Sequence, residues 1–182
     1  KEKNDGLEGL RSMVTFRKHG GLGARSHVYA FKFQGKRYEV SRRDSLRRRA
    51  YQAEHAAEVT VGMGQQYGSI EACQRRVNTL VASKTFTKLR KRFELSPAAA
   101  IAVVATPGQR SWSEGGRILL THRSWNEQTI LHELAHEIVP RGIGHHWPWV
   151  STFLYLIATF RGADAYRVFV KEYKASGLRI GP

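Results

Sequence analysis

The chain has 182 residues, 41% of them hydrophobic, and a formal net charge of +15. That suits one core with a short appendage. No apolar run is long enough to span a bilayer, and the first twenty residues hold no apolar block of the kind a secretory signal needs, so neither a membrane-embedded nor an exported protein is expected. Cys73 is the single cysteine, which excludes a disulfide framework and a cysteine-based zinc ribbon and points to a cytoplasmic location.

The charge is unevenly placed. Residues 1–50 carry 14 Lys+Arg against 5 Asp+Glu, whereas residues 101–150 carry 4 against 4. This asymmetry suggests nucleic acid or another polyanion as a partner of the basic N-terminal half, although a basic solvated surface has the same composition. No helix-turn-helix, zinc-finger or RNA-recognition signature accompanies it. Residues 1–26 read as a basic, flexible arm, and 27–182 as one domain opening on a β-hairpin.

In that hairpin, His27 to Phe33 alternates, with Tyr29, Phe31 and Phe33 on one face. Gln34-Gly35-Lys36 forms the turn, and Arg37 to Val40 returns. The aromatic face fits a core or docking surface, with base stacking as the functional alternative. Arg42 to Val59 reads as a helix whose basic first half opposes the helix dipole, so its arginines are expected to face an anion or solvent. Gly62, Gly64 and Gly68 mark a loop whose spacing matches no phosphate-binding fingerprint. A helix over 69–83 is capped by Ser69. Lys84 to Phe93 follows, with a core stripe of Phe86, Leu89 and Phe93. Ala99 to Ala105 reads as a buried strand, Pro107 to Gly116 as a polar loop, and Arg117 to Thr121 as a second strand. Two closing helices are expected over 148–160 and 163–175, with Gly177 as a stop.

Between the second strand and those helices lies the stretch richest in chemistry. His132, Glu133, Leu134, Ala135 and His136 spell H-E-x-x-H. Residues four apart share a helix face, so His132 and His136 can grip one metal ion while Glu133 reaches a water beside it. Ile130, Leu131, Leu134, Ala135, Ile138 and Val139 supply an apolar stripe. Ser124 and Glu127 have capping-box spacing ahead of it. Pro140, Gly142 and Gly144 stop the helix and turn the chain toward His145 and His146. A catalytic zinc takes three protein ligands and leaves one open position. Spacing alone leaves either histidine as the third ligand, the other then being a supporting, substrate-facing or surface group.

His132 to Leu156 resembles the active-site region of SprT-like metalloproteases, and resembles still more a group of small metallohydrolases of actinobacteria and their phages. In that pattern an aromatic follows the third histidine by four residues. His145 has Trp149 there and His146 has Val150, so the resemblance favours His145. His146 departs from the pattern, standing where the family usually has glycine. The similarity extends from about Arg43 to Leu156 and takes in RDSLRRRAYQAE at 43–54 and GGRILL at 115–120. It implies an α+β, zincin-like fold: a small twisted sheet packed on the H-E-x-x-H helix with further helices.

The site so drawn is Zn2+ on His132, His136 and His145, with Glu133 as the general base for hydrolysis of a protein or peptide substrate. Zincin-type proteases align substrate along an edge strand, and Arg117 to Thr121 is the candidate. A second oxyanion donor is expected from His122, Arg123, Tyr155 or Arg161, each of which has a structural role as its alternative. Trp147 and Trp149 are expected to pack under the site, and Pro148 to occupy the first turn of the next helix. The competing functions are a non-peptide amide or ester hydrolase, and a nucleic-acid-binding or structural protein on a metalloprotease-like fold. An intact Glu133 weighs against the last, because a site kept only for structure needs no base.

Overall fold

The computed structural model describes residues 28–41, 44–96 and 100–181; the arm expected over 1–26 lies outside them, as does His27. The first elements are the strands β1 (Val28–Phe33) and β2 (Lys36–Ser41), an antiparallel hairpin in which Phe33 faces Lys36 across the turn. Alternation puts Phe31 and Phe33 on one face. That face meets Phe93 and Trp147, at ring-centroid separations of 4.9 to 6.3 Å. The aromatic face therefore serves packing.

Helix α1 (Arg47–Val61) follows a non-helical stretch over 44–46; Arg42 and Arg43, expected in its basic first half, lie outside the described residues. Asp44 precedes the helix without capping it: its carboxylate is engaged by His145 and by Arg47 at 3.1 Å. One anion for the basic helix start is thus an internal one. The helices α2 (Ile70–Val81) and α3 (Lys84–Arg92) follow, with the hydroxyls of Ser69 and Ser83 accepting from the N–H groups of Ala72 and Phe86. Each cap satisfies one orphan donor of a helix start. Phe86, Leu89 and Phe93 are buried, as their spacing predicts. Cys73 is fully buried too, and burial pushes its thiol up to about 11, so it behaves as a small apolar side chain.

The second sheet corrects two sequence expectations: the strand expected to be buried over 99–105 is largely exposed where it is described, Ala99 lying outside the described residues, and a further strand appears. Its strands are β3 (Ala102–Ala105), β4 (Trp112–Glu114) and β5 (Arg117–Leu120), ordered β3-β5-β4. The stretch read as a polar loop contains β4, which runs antiparallel to β5. Gly115 and Gly116 make this possible, with φ of 61° and 81°. A two-residue hairpin turn needs positive φ at both positions, which two glycines adopt without strain. β5 is therefore the central strand, paired parallel with β3 on its other side. β3 and β4 are the two edge strands; the Gln74 side chain of α2 bonds the outer side of β3 at Val103 N and Ile101 O, which leaves the β4 edge open.

A short 3-10 turn (His122–Ser124) leads into α4 (Glu127–Ile138). The capping box expected from Ser124 does not form. Ser124 Oγ pairs with Thr121 Oγ1 at 2.8 Å, and Asn126 caps α4, its Oδ1 accepting from Thr129 N at 2.9 Å. Glu127 is thereby released to meet Arg76 and Tyr67. Helices α5 (Trp147–Phe160) and α6 (Gly162–Ala175) close the chain, with Pro148 in the first turn of α5. Helix α4 packs on α5, α5 on α6 and α6 on α1, while α2 covers β3. The result is an α+β architecture with α4 at its centre, its residues Ile130, Leu131, Leu134, Ala135 and Ile138 fully buried. No helix among the described residues is long and apolar enough to cross a membrane.

Candidate metal centre

The stripe that buries α4 also fixes where its polar residues point. His132 and Glu133 are almost wholly buried, at 5% and 3% exposure, and His136 follows one turn after His132. The loop after α4 reverses the chain through Gly142 and Gly144 and delivers His145, 2% exposed, to the same place. Gly144 has φ 58°, and a Cβ on it would lie 2.8 Å from the carboxyl carbon of Asp44. A side chain there would push Asp44 off His145. The loop thus requires glycine both for its backbone and for the close approach.

One ring nitrogen from each of His132, His136 and His145 lies within 4.8 Å of the others. The Nε2 atoms of His132 and His145 are 3.4 Å apart. Two nitrogens on a tetrahedral zinc, each at about 2.0–2.1 Å, stand about 3.3 Å apart, so the spacing fits. The opposite ring nitrogens are anchored. His132 Nδ1 lies 3.0 Å from both carboxylate oxygens of Glu54, and His145 Nδ1 lies 2.8 Å from Asp44 Oδ2. Carboxylates at Nδ1 favour the Nδ1–H tautomer and aim the Nε2 lone pair inward, as a metal requires. Asp44 also accepts from the backbone N–H of His145, and Glu54 from the hydroxyl of Tyr173. Trp149 underlies the cluster, stacked on His136 at 5.1 Å and edge-on to His132 and His145. Trp147, expected beside it, instead packs against Phe31, Phe33 and Tyr38 of the hairpin.

Electrostatics suit the same use. Burial, then the charges of His132 and His145, hold His136 well below its ordinary pKa, and burial also lowers His145. Both therefore offer a lone pair at neutral pH. For His132 burial works in the lowering direction, but the hydrogen-bonded Glu54 carboxylate overrides it and the net shift is upward. Burial opposes ionisation of Asp44 as well, yet its bonds to His145 hold it far below the usual carboxylate range. Glu133 is pushed up to about 7, chiefly by burial. A cation held by the neighbouring imidazoles would pull it back toward the ionised form. Its Oε2 is buried with no hydrogen-bond partner among the described residues.

His132, Glu133, His136 and His145 all line a cleft of about 620 Å3, together with residues 110–115 of β4 and its approach. The edge strand beside α4 is thus β4, and β5, expected in that role, is internal because the Gly115-Gly116 turn folds β4 onto its outer side. His146 stands at the start of α5, outside the three-histidine cluster. None of the four expected oxyanion donors lines this cleft. Arg161 bonds to Gln128 and to the carbonyls of Val61 and Gly62, Tyr155 lies under Arg92, and His122 packs on Trp125, while Arg123 is exposed in the 3-10 turn.

Sequence reasoning assigned no role to Asp44, Tyr51 or Glu54. A signal was present: from Arg47 to Tyr51 and Glu54 the steps are four and three, the spacing of one helical face, and Asp44 stands three residues before Arg47, just ahead of the helix. The third ligand can be tested directly. His145→Ala should lose zinc in elemental analysis, and His146→Ala should keep one equivalent. Zinc retained by His145→Ala would overturn the assignment. No family model, no curated protein and no solved structure matches this chain.

Proposed function

We infer that this chain is a zinc-dependent hydrolase of zincin-like fold, a metallopeptidase that cleaves peptide bonds with Glu133 as general base. The observation that carries the reading is the buried, unpartnered Oε2 of Glu133 beside the three histidines in an open cleft. A buried carboxylate oxygen without a partner is costly unless a bound group completes it. A water that Glu133 deprotonates fits that description.

His132, His136 and His145 would hold the zinc, which when bound supplies Lewis acidity and a water acidic enough to ionise near neutral pH. Glu54 and Asp44 keep the imidazoles oriented. Glu133 takes the water's proton and delivers it to the leaving amine. The free edge of β4 offers backbone hydrogen bonds to an extended peptide, which gives affinity with little sequence preference. The excess of Lys and Arg in residues 1–50 supports a substrate associated with nucleic acid. A lone, buried cysteine is compatible with the cytoplasm.

The test is hydrolysis by the zinc-loaded chain of an unfolded protein and of simple esters, with and without a chelator. Chelator-sensitive peptide cleavage, restored by zinc, is expected. Ester cleavage alone would move the chain to the non-peptide hydrolases. Neither, with tight nucleic-acid binding that falls steeply with salt, would make it a binding protein on this fold.

A further inference from the structure

The cleft contains an acceptor for the water's proton and, in the roles assigned so far, no donor for the negative charge that hydrolysis places on the carbonyl oxygen. Tyr51 answers that need. It stands on α1 between Arg47 and Glu54, on the face turned toward α4. Its ring stacks on His132 with centroids 5.5 Å apart at 28°, and meets His145 edge-on at 5.4 Å. Two ligand imidazoles therefore hold the ring in place. Yet Tyr51 keeps 44% of its surface exposed. It lines both the cleft over the histidines and the adjoining one bounded by α1 and residues 109–111. A chain crossing the three histidines passes it. Its hydroxyl makes no hydrogen bond among the described residues, so the O–H remains available to a substrate.

The charged donors around the cleft are less suitable. Arg47 is engaged by Asp44. Arg110 and Arg141 are exposed, with no ion pair among the described residues, and a long mobile side chain loses entropy when it is fixed on a substrate. A donor held in place before the reaction stabilises developing charge better than one recruited during it.

We propose that the Tyr51 hydroxyl is the oxyanion donor of this site; the proposal rests on the hydrolase reading above. As the water oxygen bonds to the carbonyl carbon, the C=O π pair moves onto the carbonyl oxygen and the water's proton goes to Glu133. Tyr51 donates a hydrogen bond to that oxygen and keeps its own proton. When the pair returns, the C–N bond breaks and the proton on Glu133 passes to the amine. A purely structural Tyr51 would act as an aromatic cover for the imidazoles, a task that phenylalanine performs equally well.

Tyr51→Phe separates the two, because it retains the ring and removes the hydroxyl. The readouts, on the zinc-loaded full chain, are kcat and KM for the cleaved peptide, zinc content, and calorimetric affinity for a phosphinic peptide of the same sequence. The expected result is a fall in kcat of about 10²–10³-fold with KM and zinc unchanged. Phosphinate affinity should weaken in parallel with kcat/KM, since that group imitates the tetrahedral state. Equal kcat in wild type and Tyr51→Phe would overturn the role, as would loss of zinc, which would make the residue a ligand or a packing element. A comparable loss in Arg110→Ala with Tyr51→Phe fully active would transfer the role to Arg110. A wild type that cleaves neither peptide nor ester would remove the hydrolase reading itself, an outcome distinct from an active wild type matched by Tyr51→Phe.

Discussion

Glu133→Gln should lower kcat/KM by about 10²–10⁴-fold, the usual contribution of a general base, while zinc stays at one equivalent. The change is nearly isosteric, so the walls of the cleft and the three imidazoles keep their places. What disappears is the capacity to take a proton. Alanine would be a poorer probe, because it would also open a void beside His132. The same substitution has a second expected effect, on the metal-free chain. Burial raises the Glu133 carboxyl from 4.5 to about 7, so ionisation is harder in the folded state than in the unfolded one. Between those values the folded state binds more protons, and wild-type stability falls as pH rises through that window. Glutamine carries no such charge, so the metal-free variant should melt at or above the wild-type temperature at pH 8. Undiminished turnover in the zinc-loaded variant would sink the mechanism; a lower melting temperature would show that the carboxylate has a partner in the fold.

Arg76→Ala should destabilise the fold by about 3 kcal/mol, the lower end of the range for stripping one partner from a buried ion pair. The site is remote from the histidines yet governs the helix that carries them. Glu127 is the first residue of α4, and its side chain is 5% exposed. Arg76 of α2 approaches both its oxygens, Nε to Oε2 at 3.0 Å and Nη2 to Oε1 at 2.5 Å, and the Tyr67 hydroxyl donates to Oε2 as well. Without Arg76 a buried anion keeps one neutral donor and the N-terminal dipole of α4. Arg76 is itself a quarter exposed, so water replaces part of the loss. Glu127→Gln in the Arg76→Ala background should return part of the stability, since it removes the stranded charge. Denaturant unfolding of the two single variants and the double variant measures this coupling. Independent, additive losses would mean that the pair contributes through packing alone.

Much of the helical framework was legible because each helix carries its own instructions. Ser69 caps α2, the 86/89/93 stripe buries α3, and Pro148 opens α5; all three act within a few residues of chain. His132, Glu133 and His136 were legible for the same reason, since one helical turn sets their spacing. Where the sequence reading erred, two plausible local signals competed. Ser124 and Glu127 have the right separation for a capping box, but Asn126 is closer to the first turn, and Glu127 finds a stronger partner in Arg76 fifty-one residues away. Likewise Arg117 to Leu120 was readable as a strand, but whether it lay at an edge depended on β4, three residues long and carrying little pattern of its own.

The sequence by itself therefore determined the helices, the two histidines one turn apart and the base between them, because local periodicity and capping act over a few residues. Which residues complete the site was decided by the tertiary structure. His145 comes to the cluster through a glycine loop pressed against Asp44; Glu54 and Tyr51 on α1, and Asp44 just before it, lie some eighty to a hundred residues earlier in the chain. The helical spacing of Tyr51 and Glu54 said that they share a face. That the face packs over α4 follows from long-range packing of α1 on α6 and of α6 on α5, and no local pattern encodes it.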